Sequence, residues 1–75
     1  MSKAEVEMYV NGLDDAIIIL GYHITPAEFD KDILIIYRKA MKYFNGKLNI
    51  GDITKEDYYY ALHLLNKSAT KYLSK

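Results

Sequence analysis

Three times along the chain a hydroxyl residue is followed, three positions later, by an acid: Ser2-Lys-Ala-Glu5, Thr25-Pro-Ala-Glu28 and Thr54-Lys-Glu-Asp57. An α-helix begins with backbone N–H groups that have no partner inside the helix. This pairing satisfies them reciprocally, the hydroxyl accepting from the first turn and the acid reaching back to the cap. Each occurrence is bracketed by apolar residues just before the cap and one turn into the helix, Met1 with Val6, Ile24 with Phe29 and Ile53 with Tyr58. That is the spacing of a hydrophobic staple. Pro26 adds a pre-set φ at a first helical position, where its missing N–H costs nothing. A chain that starts a helix three times in 75 residues has little length left for any other element.

The stops are read from glycine. Gly21 follows "AIIIL" and Gly46 follows "KYFN", so each is assigned the left-handed position that closes a helix. The predicted helices are Lys3 to Leu20, Pro26 to Asn45 and Lys55 to Leu73, with connections "GYHIT" and "GKLNIGDIT". Leu48, Ile50 and Ile53 in the longer connection are expected to tuck under the end of the bundle. Asn11-Gly12 interrupts the first helix with a dipeptide typical of hairpin turns. The apolar stripe Val6, Tyr9, Val10, Leu13, Ile17 and Leu20 nevertheless runs through it in phase, as one continuous helix requires. A mixed fold pairing "AIIIL" with "ILIIY" as strands is the alternative, because short branched runs are ambiguous by period alone.

The second helix carries the widest apolar face, Phe29, Ile33, Ile36, Tyr37, Ala40, Met41 and Phe44, with Leu34 at its edge, as contact with two neighbours would require. In the third helix Tyr58, Ala61, Leu62, Leu65, Ala69, Tyr72 and Leu73 form the inner stripe. Short connections favour antiparallel neighbours. The expected architecture is an all-α, up-down-up three-helix bundle forming one domain over residues 1–75.

"EDYYYALHLL" then sends three adjacent tyrosines in different directions, at about 100° per residue. Tyr58 is assigned to the core and Tyr59 to its border, beside His63 and Asn66. Tyr60 is assigned to the outside with Leu64, Lys67 and Lys71. Ile35 stands on the polar side of the second helix among Lys31, Arg38, Lys39 and Lys42, at a height matching Leu64. The expected partner-binding patch is therefore Ile35, Tyr60 and Leu64 with a rim of Lys31, Arg38, Lys42, Lys67 and Lys71, an apolar centre in a charged frame. Single exposed apolar residues are ordinary on protein surfaces, so adjacency is what gives the patch meaning.

Composition narrows the chemistry. Cysteine is absent and only His23 and His63 supply imidazole, which argues against a disulfide framework and a structural zinc site. No nucleophile stands beside a base, "HITPAE" lacks the spacing of a zinc protease and no glycine run resembles a phosphate loop. Neither catalysis nor a cofactor is expected. Asp14-Asp15, Asp30 and Asp32 read as solvated helix faces rather than a cation site. The net charge of zero gives no general attraction to phosphate, and basic residues alternate with acids along the expected bundle. The longest apolar run is far short of the roughly 20 residues that span a bilayer. No membrane association is expected, and the start "MSKAE" is unlike a secretion signal, so a cytoplasmic location is expected. Abundant Ile, Lys and Tyr without Cys or Gln fit a thermophile.

In size, composition and all-helical character the chain resembles the small accessory subunits of archaeal information-processing complexes, such as the small helical polymerase-binding subunit of crenarchaeal B-family DNA polymerases. The resemblance rests on general character and transfers no residue roles. It implies a non-enzymatic interaction module that docks on a larger partner in DNA replication and stabilises it. A DNA- or RNA-associated bundle using Arg38, Lys39, Lys42 and Lys47, with any nucleic-acid contact otherwise indirect, is the second expectation. Self-association into a homo-oligomer is the third.

Overall fold

The computed structural model describes residues 1–73 and contains three helices, α1 (Lys3–Gly21), α2 (Pro26–Asn49) and α3 (Lys55–Leu73). Ser74 and Lys75, the end of the expected domain, lie outside the described residues. Ser2 and Glu5 cap α1 reciprocally, and Thr25 and Glu28 do the same for α2. At α3 only half of the motif forms: the Asp57 backbone N–H donates to the Thr54 hydroxyl at 3.1 Å. Aspartate is one methylene shorter than glutamate, which accounts for the missing return bond. The Asn11-Gly12 dipeptide lies inside a continuous α1, and no strand is present among the described residues.

The stops differ from expectation. Neither Gly21 nor Gly46 is left-handed; Gly51 is, with φ 75°. α2 runs through Gly46 to Asn49 and closes with the Gly51 N–H on the Leu48 carbonyl (3.1 Å) and the Asp52 N–H on the Lys47 carbonyl (2.9 Å). Those two bonds are the Schellman pattern. Where that motif often carries an apolar contact, this one carries an ion pair, Lys47 Nζ to Asp52 Oδ2 at 3.3 Å. Gly21 is the last residue of α1 and serves packing instead: a Cβ there would meet the Phe29 ring at 3.3 Å. Of the residues expected to tuck under the bundle, Ile53 is buried, Leu48 is half-buried within α2, and Ile50 is 75% exposed.

The helices run up, down and up. Tyr9 stacks on Tyr43 (centroids 4.6 Å apart, planes 4° apart) with Phe44 edge-on to both, which joins the first half of α1 to the last third of α2. Tyr58 at the start of α3 donates to Asn45 near the end of α2, at 2.6 Å. Val6, Val10 and Ile17 of α1 meet Ile33, Tyr37, Ala40 and Phe44 of α2 and Ala61 and Leu65 of α3 in one core. Phe44, Ile17, Ile33 and Val6 are the largest fully enclosed side chains. Truncating a buried phenylalanine such as Phe44 to alanine costs about 3–5 kcal/mol, a large part of the stability of a domain this size. Tyr58, expected in the core, is half-buried with its hydroxyl outward.

Two predictions follow from the helix ends. Gly51→Ala is expected to destabilise by about 1–2 kcal/mol because it places a Cβ on a left-handed residue. Gly46→Ala, where an added Cβ meets nothing within 4 Å, is expected to stabilise by about 0.5–1 kcal/mol. Urea midpoints of the two variants should therefore move in opposite directions. The second concerns acid. The Ser2 backbone N–H holds Glu5 below the ordinary carboxylate range, and the Lys47 ammonium with the amino terminus does the same to Asp52. A carboxylate whose pKa is lower in the folded chain stabilises above its unfolded pKa and loses that contribution as pH falls through the folded one. Tm is expected to hold down to about pH 5 and then to fall through about pH 4 and below. Asp52→Asn should flatten part of that fall in a calorimetric pH series.

Candidate functional site

α3 lies against both other helices, so each of its flanks borders a groove. On the α1 side the groove is open, about 540 Å³, and walled by Glu7, Asn11 and Asp14 of α1 facing Tyr60, Leu64, Lys67 and Lys71 of α3. Here the expected patch is corrected. Tyr60 and Leu64 are half-buried and pack against the core rather than standing outside it. The Tyr60 hydroxyl donates to Glu7 Oε2 at 2.5 Å and Lys3 Nζ lies 4.6 Å from the ring centroid. The bond to the Glu7 carboxylate, with a smaller contribution from burial, raises the Tyr60 pKa. Successive side chains rotate by about 100°, so α1 covers the quarter of α3 that a reading of α3 alone assigns to solvent.

Ile35 is not part of that surface. It is 49% exposed and lies on the outward stripe of α2 with Lys31, Arg38 and Lys42, all exposed. The structure therefore divides the expected residues into two sets, Tyr60, Leu64, Lys67 and Lys71 in the α1–α3 groove and Ile35, Lys31, Arg38 and Lys42 on outer α2. Opposite charges already face each other across the first groove. None of the outer α2 cations has an ion-pair partner, since the ion pairs among the described residues both involve Asp52.

At its floor the α1–α3 groove carries a polar chain across all three helices. Tyr37 Oη lies 2.5 Å from Ser68 Oγ, and the Ser68 hydroxyl donates to Asp14 Oδ1. Burial raises the Tyr37 pKa, against the bond to Ser68 that lowers it. This chain aligns the helices; Ser68 is buried and belongs to the interior. Among the described residues no three His, Asp or Glu side chains converge to hold a metal ion.

The second groove, between α2 and α3 on the side away from α1, has a different character. Tyr37, Met41, Leu62, Leu65, Asn66 and Ala69 enclose about 240 Å³ of mostly apolar space. Leu34, two turns before Met41 and in line with it, extends the apolar row; these two residues are 46% and 45% exposed. Met41 and Leu62 are expected core residues, and Leu34 the edge of a core face, yet among the described residues no third element closes over them: Leu62 is half-buried and Leu34 and Met41 are exposed. Their signal in the sequence is their angle, 80–100° from the centre of each stripe, at the limit of what one neighbouring helix covers. Outer α2 borders the groove with Lys31, Arg38 and Lys42, while Tyr59, His63, Asn66 and Thr70 border it on α3 without charge opposite to theirs. From Ile33 to Asn49 and from Tyr58 to Leu73 there is no carboxylate at all. This groove and its basic edge form the candidate interaction surface.

Comparison with protein-family models, curated proteins and solved structures gives no match to any of them. No described helix is long and apolar enough to cross a membrane.

The polar chain makes its own prediction. Ser68→Ala leaves Asp14 and the Tyr37 hydroxyl without their shared partner and is expected to cost about 1–3 kcal/mol. The Tyr72 hydroxyl, in contrast, is buried with no partner among the described residues, so Tyr72→Phe should be neutral or stabilise by up to about 1 kcal/mol. Chemical denaturation of the two variants beside wild type measures the difference.

Proposed function

We propose that the protein is a non-enzymatic interaction module, an accessory subunit that docks on a larger protein through the α2–α3 groove and stabilises it. The observation that carries this reading is the half-exposed row Leu34 and Met41 over an apolar cleft, beside cations that form no ion pair among the described residues. An apolar centre with a charged edge is the anatomy of protein-binding surfaces. In a small domain with a limited core, leaving Leu34 and Met41 outside forfeits burial that the chain would otherwise gain. A partner that recovers it adds RT ln(1 + [L]/Kd) to the stability of the complexed state. The likeness in size and composition to polymerase-binding subunits makes an archaeal DNA polymerase the first partner to test. The reading places the protein inside the cell with that partner.

Nucleic-acid association is the second reading, supported by the carboxylate-free stretch of α2 with Arg38, Lys39, Lys42 and Lys47. The net charge of zero and the apolar floor between the bordering residues favour protein over phosphate backbone. The test is site-specific photo-crosslinking in native extract, with the crosslinker at position 41 and, as control, at position 19 on the outer face of α1. The expected result is one discrete protein adduct from position 41 and none from position 19. Equal labelling from both positions, or adducts to nucleic acid alone, would reject the module reading.

A further inference from the structure

The α2–α3 pair has two sides, and the chain fills one of them with its own helix. α1 lies there with Val6, Val10 and Ile17 inward and Glu7 and Asp14 along the flank that faces Lys67 and Lys71. Its charged residues are Lys3 against Glu5, Glu7, Asp14 and Asp15, so it is an acidic amphipathic helix. The opposite side presents the same elements without an occupant. It has an apolar floor at Met41, Leu62 and Ala69, parallel walls from two helices, and a cationic edge at Lys31, Arg38 and Lys42.

We propose that this second groove receives one amphipathic α-helix of about three turns from another protein, apolar on its inner stripe and acidic on the flank that meets Lys31, Arg38 and Lys42. The inference rests on the reading of the protein as an interaction module and adds the partner's chemistry. Length follows from the edge: Lys42 stands eleven positions after Lys31, or roughly 16 Å along the helix axis at 1.5 Å per residue. Shape follows from the walls, because a trough between two packed helices takes a third by ridges-into-grooves contact at about 8–10 Å between axes. Sign follows from charge: Arg38 and Lys42 stand in a stretch, Ile33 to Asn49, that holds no carboxylate, as does α3 from Tyr58 to Leu73, so an acidic flank meets no repulsion along them and a basic one meets only like charge; at the Lys31 end Asp30 and Asp32 offset the lysine, which places the partner's acids opposite Arg38 and Lys42. Met41 gives the floor a flexible, polarisable side chain that adapts to the apolar residue it meets. The groove thus takes helix-in-groove recognition with apolar anchors spaced at i, i+3 or i+4, and i+7.

The probe is a display library of helical 15-residue peptides whose apolar stripe is fixed as leucine and whose flanking positions vary among Glu, Lys, Ser and Ala. It is selected against the full chain. The expected result is enrichment of Glu on one flank, with amide shift changes in the labelled protein centred on Leu34, Met41, Leu62 and Ala69. Arg38→Glu combined with Lys42→Glu reverses two exposed edge charges without touching the core. It should weaken the selected peptide about tenfold, and a Glu-to-Lys version of that peptide should recover binding to the variant. Enrichment of Lys, absence of charge preference, or shift changes confined to α1 would each overturn the proposal. So would competition of the peptide by a short DNA duplex with a steep salt dependence, or self-association of the protein that the same double variant abolishes. The outcomes separate the two levels: crosslinking from position 41 to a protein without any selected acidic helix rejects the partner's chemistry and leaves the module reading standing. Absence of crosslinks there rejects the module reading itself.

Discussion

The hydrogen bonds from Tyr37 to Ser68 and from Ser68 to Asp14 join α2, α3 and α1 at one level of the bundle, and the placement of every surface depends on them. Apolar stripes are weak at fixing register, because dispersion and hydrophobic contact are non-directional and a helix moved by one turn presents much the same face. A buried hydroxyl between a phenol and a carboxylate tolerates no such shift. Moving any of the three helices by a turn leaves polar groups unpaired in the interior, each at a cost of about 1–3 kcal/mol. The polar chain therefore specifies which apolar alignment the core adopts. Nearer one end the Tyr9, Tyr43 and Phe44 rings hold α1 against α2, so the bundle is pinned there as well as at its middle.

With register fixed, helix ends decide how much of the chain is ordered. A domain of this size has a small core, and local terms of a few tenths to one kcal/mol carry weight in it. Two reciprocal caps, one half cap and a Schellman close with Lys47 and Asp52 paired across it supply partners to backbone groups that the helix termini leave unpaired. The Asp52 carboxylate links two regions. It pairs with Lys47 at the end of α2 and lies 3.6 Å from the Met1 amine at the start of α1, so the same charge closes one helix and draws in the beginning of another.

Where the sequence was legible, the information was local; where it was not, a neighbouring helix decided. Caps and phase are properties of one segment, and Ser2, Thr25 and Thr54 mark the three starts without reference to anything else. The choice between Gly46 and Gly51 as the stop of α2 is different, because both are glycine and both follow an apolar run. The structure favours Gly51, since the longer helix keeps Leu48 packed on the core and lets Ile53 enter it. The same distinction governs the surface. A helical stripe gives an angle, but whether a residue at the edge of the stripe is covered depends on how far round the next helix reaches. α1 reaches far enough to cover Tyr60 and Leu64, which a reading of α3 alone places outside. Nothing reaches Met41 from the other side, so a residue expected inside is left half in water.

Charge shows a parallel asymmetry. The acids of α1 face the lysines of α3 across the first groove without forming an ion pair, so those lysines have opposite charge on a neighbouring helix. Among the described residues Arg38 and Lys42 of outer α2 form no ion pair and lie in a stretch without carboxylates, although the molecule as a whole is neutral. At physiological ionic strength the screening length is about 8 Å, so those cations influence a partner only once it is nearly in place. In the docking proposed above, their part is to select orientation and reject basic partners, while affinity comes from covering Leu34, Met41 and Leu62. The proposed division of labour fits the net charge of zero: a neutral molecule exerts little long-range attraction, and recognition of the proposed kind is confined to the few ångströms over which an apolar floor and a charged edge act together.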